Sequence, residues 1–228
     1  MDHDEIEDIT ELPLFPLATV LFPGALLPLH IFEERYKAMM RFAVDRGGMF
    51  GLSYRSDAQI GRETPPAVGS VGCIAKINAV MPLEQGRMNV LSTGLIRYRV
   101  TALRQAEPYL IAVVETFGDE LEPGADLIRM VEDIQAIANE FLEAAQSLDE
   151  PGIPTVQELP DDPEAFSLLL AGLLPIENDV KQTLLELTST RVRLTRVRHY
   201  MTSALADFNT RLKVQEVAKT NGHARKSL

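Results

Sequence analysis

Apolar residues follow two different spacings along this chain, and the change falls near residue 118. Before it they come in short runs that alternate with polar positions; within Leu95–Leu103, for example, Ile96, Tyr98 and Val100 share one face. Such alternation is typical of half-buried strands. After it they recur every three or four positions, as in amphipathic helices. The spacing predicts an α+β chain with a β-rich part at residues 12–118 and a helical part at residues 119–218.

The β-rich part is predicted to hold about six strands and one early helix. Pro23-Gly24 should form a tight turn, because proline fixes φ at the second position of a type II turn and glycine tolerates the positive φ of the third. Short strands and tight turns fit a small closed or nearly closed β-barrel. The strands are expected in the apolar runs Leu17–Phe22 and Ala25–Phe32, and in Met49–Tyr54, Gly69–Met81, Met88–Leu91 with Leu95–Leu103, and Tyr109–Phe117, with the helix at Glu33–Arg46.

The helical part is predicted to hold four helices, and proline-containing breaks separate the first three. The last helix has the cleanest apolar stripe, with steps of three or four residues. The ends of the chain, an acidic arm at residues 1–11 and a basic tail at residues 219–228, are expected to be flexible. The helices are expected around Leu127–Ala145, at Pro163–Leu174, Glu177–Leu187 and Thr190–Val217, and the last stripe consists of Leu194, Val197, Met201, Leu205, Phe208 and Leu212.

Composition narrows the class of protein. The chain is 46% hydrophobic and 24% charged, which is ordinary for a globular protein. A formal net charge of -11 argues against a general nucleic-acid binder, because phosphate backbones favour concentrated Lys and Arg. A single cysteine, Cys73, allows no intrachain disulfide, and no apolar run approaches the roughly 20 residues of a membrane span. The acidic N-terminus is unlike a signal peptide, so a cytoplasmic location is expected.

The opening stretch Leu12–Tyr36 carries a family resemblance. It reads LPLFPLATVLFPGALLPLHIFEERY, and its Pro-Leu-Phe-Pro-Leu, Leu-Phe-Pro-Gly and Pro-Leu-His-Ile-Phe-Glu-Glu-Arg-Tyr elements closely resemble the start of the Lon protease N-terminal (substrate-binding) domain. The likeness is strongest to short bacterial proteins that consist of that domain alone, and the domain also occurs in cereblon-like proteins. It continues through Gly69–Met81 and Gly94–Val100 and, more weakly, to about Tyr200. The resemblance implies a six-stranded PUA-like pseudo-β-barrel followed by a helical bundle with a long last helix.

The same resemblance implies a binding role without catalysis. Full-length Lon enzymes also need an ATPase with a phosphate loop, which requires a Gly-Lys pair, and a peptidase with a Ser nucleophile and a Lys base. This sequence has no Gly-Lys pair. We therefore expect no enzyme activity, no catalytic residues, no metal and no cofactor. His30, Cys73 and the serines offer no recognisable catalytic pattern, and Cys73 fits a buried small hydrophobe.

Candidate binding residues come from the apolar opening stretch and from one strand. If they are exposed, Leu17, Val20, Phe22, Leu26 and Leu27 would form an apolar surface for an extended polypeptide; the alternative is that all five are core. Arg97 and Arg99 could contact peptide carboxylates; the alternative is a solvated outer face paired with acids. A structural role is expected for Pro23, Gly24, His30, Glu33 and Tyr36, and His30 is expected to fix the strand-to-helix corner by hydrogen bonding.

The expected function is recognition of unfolded or degron-bearing polypeptides, with delivery to a separate ATP-dependent protease. Addition of a peptide strand to an open barrel edge is one way to achieve it. A second hypothesis is a structural or oligomerisation module that self-associates through its long helix and apolar faces. A third is RNA binding, since PUA-like barrels can bind RNA, although the net charge of -11 counts against nucleic acid. No membrane partner is expected.

Overall fold

A computed structural model describes residues 11–56, 65–151, 153 and 158–224. Most of the predicted acidic arm, residues 1–10, and the end of the predicted basic tail, residues 225–228, lie outside these ranges. The described strands are β1 (Glu11–Leu17), β2 (Leu26–Ile31), β3 (Met49–Tyr54), β4 (Val71–Pro82), β5 (Met88–Gln105) and β6 (Leu110–Phe117). The described helices are α1 (Glu34–Val44), α2 (Gly124–Ser147), α3 (Pro163–Leu173), α4 (Asn178–Glu186) and α5 (Thr190–Ala224).

The chain divides into two compact units. The first contains Met1–Glu120 and Glu177–Thr188, and the second contains Leu121–Ile176 and Ser189–Leu228. The division therefore groups α4 with the strands, whereas the sequence placed the whole of residues 119–218 in one helical part. The α+β class and the six strands agree with the prediction.

The strands of the first unit form a ring with one strand outside it. The order is β2-β5-β4-β3-β1-β6, and β6 pairs with β5 a second time, which closes the ring through β1, β3, β4, β5 and β6. β5 is long enough to serve both partners: its first half pairs with β2 over Met88–Thr93, and its second half pairs with β6 over Arg97–Gln105. β2 is thus an appendage to the ring.

Two strand predictions need correction. The first strand is Glu11–Leu17 and not Leu17–Phe22, where Leu21 and Phe22 are buried without being part of a strand. The turn itself forms as expected, since Gly24 has φ 81° and the Ala25 N–H donates to the Phe22 carbonyl at 3.1 Å. The predicted interruption after Leu91 is absent, because β5 runs through residues 92–94 as one strand.

Tyr98 fills the interior of the ring. Its side chain is fully buried beside Leu14, Ile74 and Val114, and its hydroxyl donates to the Leu52 carbonyl at 3.1 Å. Burial raises the pKa of this phenol well above its usual range. The ring interior is a closed hydrophobic core, so a binding site has to lie elsewhere.

A second core cluster lies where α1 covers the sheet. Tyr36, Met39, Met40 and Ala43 are buried on one face of this helix, at the three- and four-residue spacing seen in the sequence. They pack with Phe15 and residues of β2, β3 and β4. The predicted helix is confirmed, although it begins one residue later and ends two residues earlier than expected.

The second unit is built from α2, α3 and α5. The predicted stripe on α5 is buried at Leu194, Val197, Met201 and Phe208, and the Phe208 ring stacks on Phe141 of α2 at 5.4 Å. α5 extends to Ala224, beyond the expected end at residue 217. None of the helices described is both long and apolar enough to cross a membrane.

Candidate functional site

An opening separates β1 from β2 in the wall of the first unit. Among the described strands, β2 pairs with β5 alone, so its other edge has no strand partner. β1 pairs with β6 over Glu11–Leu14 and with β3 over Leu14–Leu17. Within the described ranges, its last three residues therefore have a strand partner on one side only. The two strands present unpaired edges to a groove, which is the arrangement that accepts an added peptide strand.

Prolines occupy both of these edges. The Leu17 carbonyl accepts the Arg55 N–H at 2.8 Å on the β3 side, and main-chain groups of successive strand residues point to opposite sides. The carbonyl of Pro16 therefore points away from β3, towards the groove. Proline lacks an N–H and is found on strand edges that need no donor. Pro28 fits the outer edge of β2 for the same reason. Because main-chain groups of residues two positions apart point to the same side of a strand, the N–H and carbonyl of His30 also point outward.

The groove consists of two pockets that share a wall. The larger has a volume of about 360 Å³ and the smaller about 130 Å³. Four residues line both pockets and mark where they join: Pro16, Arg35, Tyr36 and Arg55. The larger pocket continues along Phe15, Leu17 and the segment Pro28–Glu33, and the smaller one along Pro65 and Ala106–Leu110. A bound chain could therefore continue on either side of the shared wall.

The start of α1 fixes the shared wall. Glu33 precedes the helix, and its carbonyl accepts the N–H groups of Tyr36 and Lys37 at 3.0 and 2.9 Å. The Tyr36 ring packs on Phe15 of β1 with 4.4 Å between centroids. Arg35 lies over the Tyr36 ring at 4.7 Å and donates to the Glu33 carboxylate at 3.0 Å. Glu33 and Tyr36 thus shape the groove.

Arg55 is the second cation of the shared wall. It follows the last residue of β3 and is half-buried. Its Nε is shielded from water and has no hydrogen-bond acceptor in the described part of the chain. A buried donor without an acceptor costs about 1–3 kcal/mol, so such groups call for an explanation.

The rim of the groove is aromatic and exposed. Phe32 is 60% exposed and stacks on the His30 ring at 6.0 Å. His30 is also exposed, and its Nδ1 lies 2.7 Å from Oδ1 of Asn89 on β5. The histidine therefore braces β2 against β5, and the corner of the strand and helix is held by Glu33 instead. An exposed phenylalanine beside an apolar groove suits contact with an apolar segment.

The apolar residues proposed from sequence are distributed unevenly. Leu17 is partly buried and lines the larger pocket, Val20 is partly buried, and Leu26 is 55% exposed. Phe22 and Leu27 are core, so an exposed role for these two side chains is wrong. The main chain at Phe22 packs against Gly94, where even a Cβ would clash with the Phe22 carbonyl. The suggested surface thus reduces to Leu17, Val20 and Leu26.

The two arginines of β5 have different surroundings. Arg97 is 1% exposed, and it donates to Asp119 at 2.5 Å. It also donates to the carbonyls of Leu185, in the last turn of α4, and Leu187, directly after that helix. Contact with a bound peptide is therefore wrong for Arg97, which instead holds α4 on the strands. Arg99 is partly exposed and pairs with Glu115 at 3.5 Å. It lines neither of the two pockets described above.

Most groove residues were not proposed as site residues from sequence, among them Pro16, Phe32, Arg35 and Arg55. The prolines did carry a usable signal, because proline within a strand pattern indicates an edge. The arginines carried none, since their proximity depends on the parallel pairing of β1 with β3.

The described residues give little support for a nucleophilic cysteine or a metal site. Cys73 is fully buried, and burial raises the pKa of its thiol far above the usual value, which makes it a poor nucleophile. The described ranges contain no group of three or more His, Cys, Asp and Glu side chains that could hold a metal ion. The groove is therefore the feature best suited to a function.

Comparisons with solved structures agree with this fold. A Lon N-terminal domain protein from Xanthomonas campestris matches with a TM-score of 0.58 and 27% identity, over 85% of this chain and 99% of that one. The N-terminal domain of the Mycobacterium avium complex Lon protease matches with a TM-score of 0.63 and 18% identity, over 84% of this chain and 98% of that one.

Sequence comparisons identify the family. The Lon protease of Koribacter versatilis is 26% identical over 216 residues, and that of Solibacter usitatus is 25% identical over 212 residues. These matches take in 93% and 92% of this chain, and the chain spans about a quarter of the length of each relative. The family described as the ATP-dependent protease La (LON) substrate-binding domain matches residues 11–203. With most of its length covered by that match, this chain belongs to the Lon substrate-binding domain family.

Proposed function

We propose that this chain binds extended apolar segments of unfolded or degron-bearing polypeptides in the groove between β1 and β2. The observation that carries the proposal is the pair of unpaired strand edges with an apolar groove between them. Main-chain hydrogen bonds to strand edges give affinity without demanding one sequence, which suits varied clients. The substrate-binding role in the family's description supports the same proposal. The role is binding without catalysis.

The client would then pass to a separate ATP-dependent protease in the cytoplasm. A direct assay compares the rate at which a purified Lon protease degrades an unfolded reporter with and without this chain. The proposal predicts faster degradation at limiting reporter concentration. An unchanged rate would contradict delivery while leaving binding to be judged by its own assay.

Binding is tested by fluorescence anisotropy with a labelled peptide of alternating valine and threonine. We expect micromolar affinity, and about a tenfold loss on Phe32→Ser, because exposed aromatic anchors supply much of the energy of such contacts. Met81→Ser is a matched control, since Met81 is 55% exposed and lies on β4, outside both pockets. Absence of binding at micromolar protein, or equal losses for both variants, would contradict the proposal.

A second candidate function is self-association through the last helix. Val214 and Val217 are three residues apart on α5 and are 64% and 59% exposed. Light scattering over a range of concentrations tests this candidate. A rise in mass that Val214→Ser with Val217→Ser abolishes would support it, and a constant monomer mass would dismiss it.

A further inference from the structure

We infer that the groove selects segments carrying one internal Asp or Glu flanked by apolar residues, with the carboxylate bound by Arg55 where the two pockets join. This inference rests on the proposed function and adds the chemistry of the preferred segment.

Within the described residues, Arg55 has no acidic partner, although the protein is acidic. The chain has 33 Asp and Glu against 22 Lys and Arg, so a guanidinium without a carboxylate partner is unexpected. Most arginines of the first unit pair with a carboxylate or cover an aromatic ring: Arg35 with Glu33, Arg97 with Asp119, Arg99 with Glu115, Arg104 with Glu11, and Arg46 over Phe42. For Arg55 the described residues supply no such partner, and its Nε is shielded as well.

The charged side chains that line the groove can accommodate one carboxylate from a ligand. Among the described residues, four acidic or basic side chains other than His30 line the two pockets: Glu33, Arg35, Arg55 and Glu107. Glu33 is bound by Arg35, and Glu107 lines the smaller pocket but forms no ion pair with Arg55 in the described part of the chain. A ligand carboxylate at Arg55 would form a charge-assisted hydrogen bond, about twice as strong as a neutral one. The overall charge of -11 disfavours segments with several acids.

The shape of the groove favours a side-chain carboxylate over a chain terminus. Arg55 lines both pockets, with about 360 Å³ of space on one side and about 130 Å³ on the other. A C-terminal carboxylate at this point would leave one of the two pockets empty. An internal Asp or Glu lets the segment continue in both directions along apolar walls that include Leu17 and Tyr109.

The test compares three labelled peptides with the same alternating valine and threonine frame. One has a central glutamate, one a central glutamine, and the third has the glutamine with a free C-terminal acid in place of the amide carried by the other two. Anisotropy titrations with the full chain should give about tenfold tighter binding of the glutamate peptide than of either other peptide.

Two variants locate the effect. Arg55→Gln should bind the glutamate and glutamine peptides equally. Thermal melting should show little loss of stability, because the Arg55 Nε has no acceptor among the described residues. Arg99→Gln is the matched control; Arg99 is a partly exposed arginine outside both pockets, so the tenfold preference should persist.

The outcomes separate this inference from the function on which it rests. Equal binding of the glutamate and glutamine peptides to the unmodified chain, with sensitivity to Phe32→Ser retained, would overturn the carboxylate inference alone. A preference for the free C-terminal acid would overturn the internal placement. Failure of all three peptides to bind would overturn the inference together with the proposed function.

Discussion

The guanidinium of Arg97 donates to the carboxylate of Asp119 at 2.5 Å, in a site where the two side chains are 1% and 4% exposed. The same guanidinium lies 4.6 Å from the centre of the Phe117 ring and donates to two carbonyls near the end of α4. A charge in these surroundings is tolerated only because it is paired and hydrogen-bonded. The pair therefore fastens α4 to the strands of the first unit.

Asp119→Ala should lower the free energy of unfolding by about 3 kcal/mol, because it leaves the Arg97 charge buried without its carboxylate. Urea denaturation measures the change. Glu115→Gln is the control: Glu115 pairs with the partly exposed Arg99 at 3.5 Å, and loss of such a pair should cost no more than about 0.5 kcal/mol. Similar small losses for both variants would mean that Asp119 does not neutralise Arg97.

Gly72→Ala should destabilise the ring by about 3 kcal/mol. A Cβ at this position would lie 2.5 Å from the Tyr98 hydroxyl and would also clash with the Leu52 carbonyl, so main chain and a fully buried ring would both have to move. Thermal melting detects the loss. Gly124→Ala, with no atom within 4 Å of the added Cβ, should leave stability unchanged or slightly raised. A harmless Gly72→Ala would show that Tyr98 is packed more loosely than the structure indicates.

The stability of the protein should fall as the pH rises above about 8.5, the usual pKa of a cysteine. In the folded chain burial raises the pKa of Cys73 far above that value, so the native thiol stays protonated while the unfolded thiol ionises. The unfolded state then binds fewer protons, and the free energy of unfolding falls by up to about 1.4 kcal/mol per pH unit.

The contribution of Cys73 to the pH dependence of the free energy of unfolding can be measured separately between about pH 8.5 and 10, below the usual pKa of a tyrosine. Urea denaturation under reducing conditions should give a shallower pH slope for Cys73→Ala than for the unmodified chain. Equal slopes for the two proteins would show that the thiol ionises while folded, which its full burial argues against.

Local pattern was sufficient for most elements of the fold. β3 was predicted with its observed ends, because Met49–Tyr54 is a short apolar run bounded by glycines and polar residues. α1 was predicted because its buried residues follow helical spacing. The position of β1 was not predicted. A buried apolar run such as Leu21-Phe22 has the same local pattern whether it belongs to a strand or packs in the core beside a sheet.

Long-range contacts account for the failures at the site. The alternation in β5 placed Arg97 on a polar face, but the carbonyls that cover it lie 88 and 90 positions further along the chain. The groove likewise depends on the parallel pairing of β1 with β3, which no adjacent turn specifies. The resemblance in Leu12–Tyr36 identified the family correctly, yet it did not distinguish the buried Phe22 from the exposed Phe32.

The main-chain N–H of His30 gives the most direct test of strand addition. The alternation set by Pro28 turns this group towards the unpaired edge of β2, where a bound strand would accept its hydrogen bond. Hydrogen exchange measured by NMR, with and without a saturating valine–threonine peptide, reports it directly. The account predicts at least about tenfold slower exchange of the His30 amide when peptide is bound. Peptide binding that leaves the His30 amide unprotected and protects another surface would contradict it.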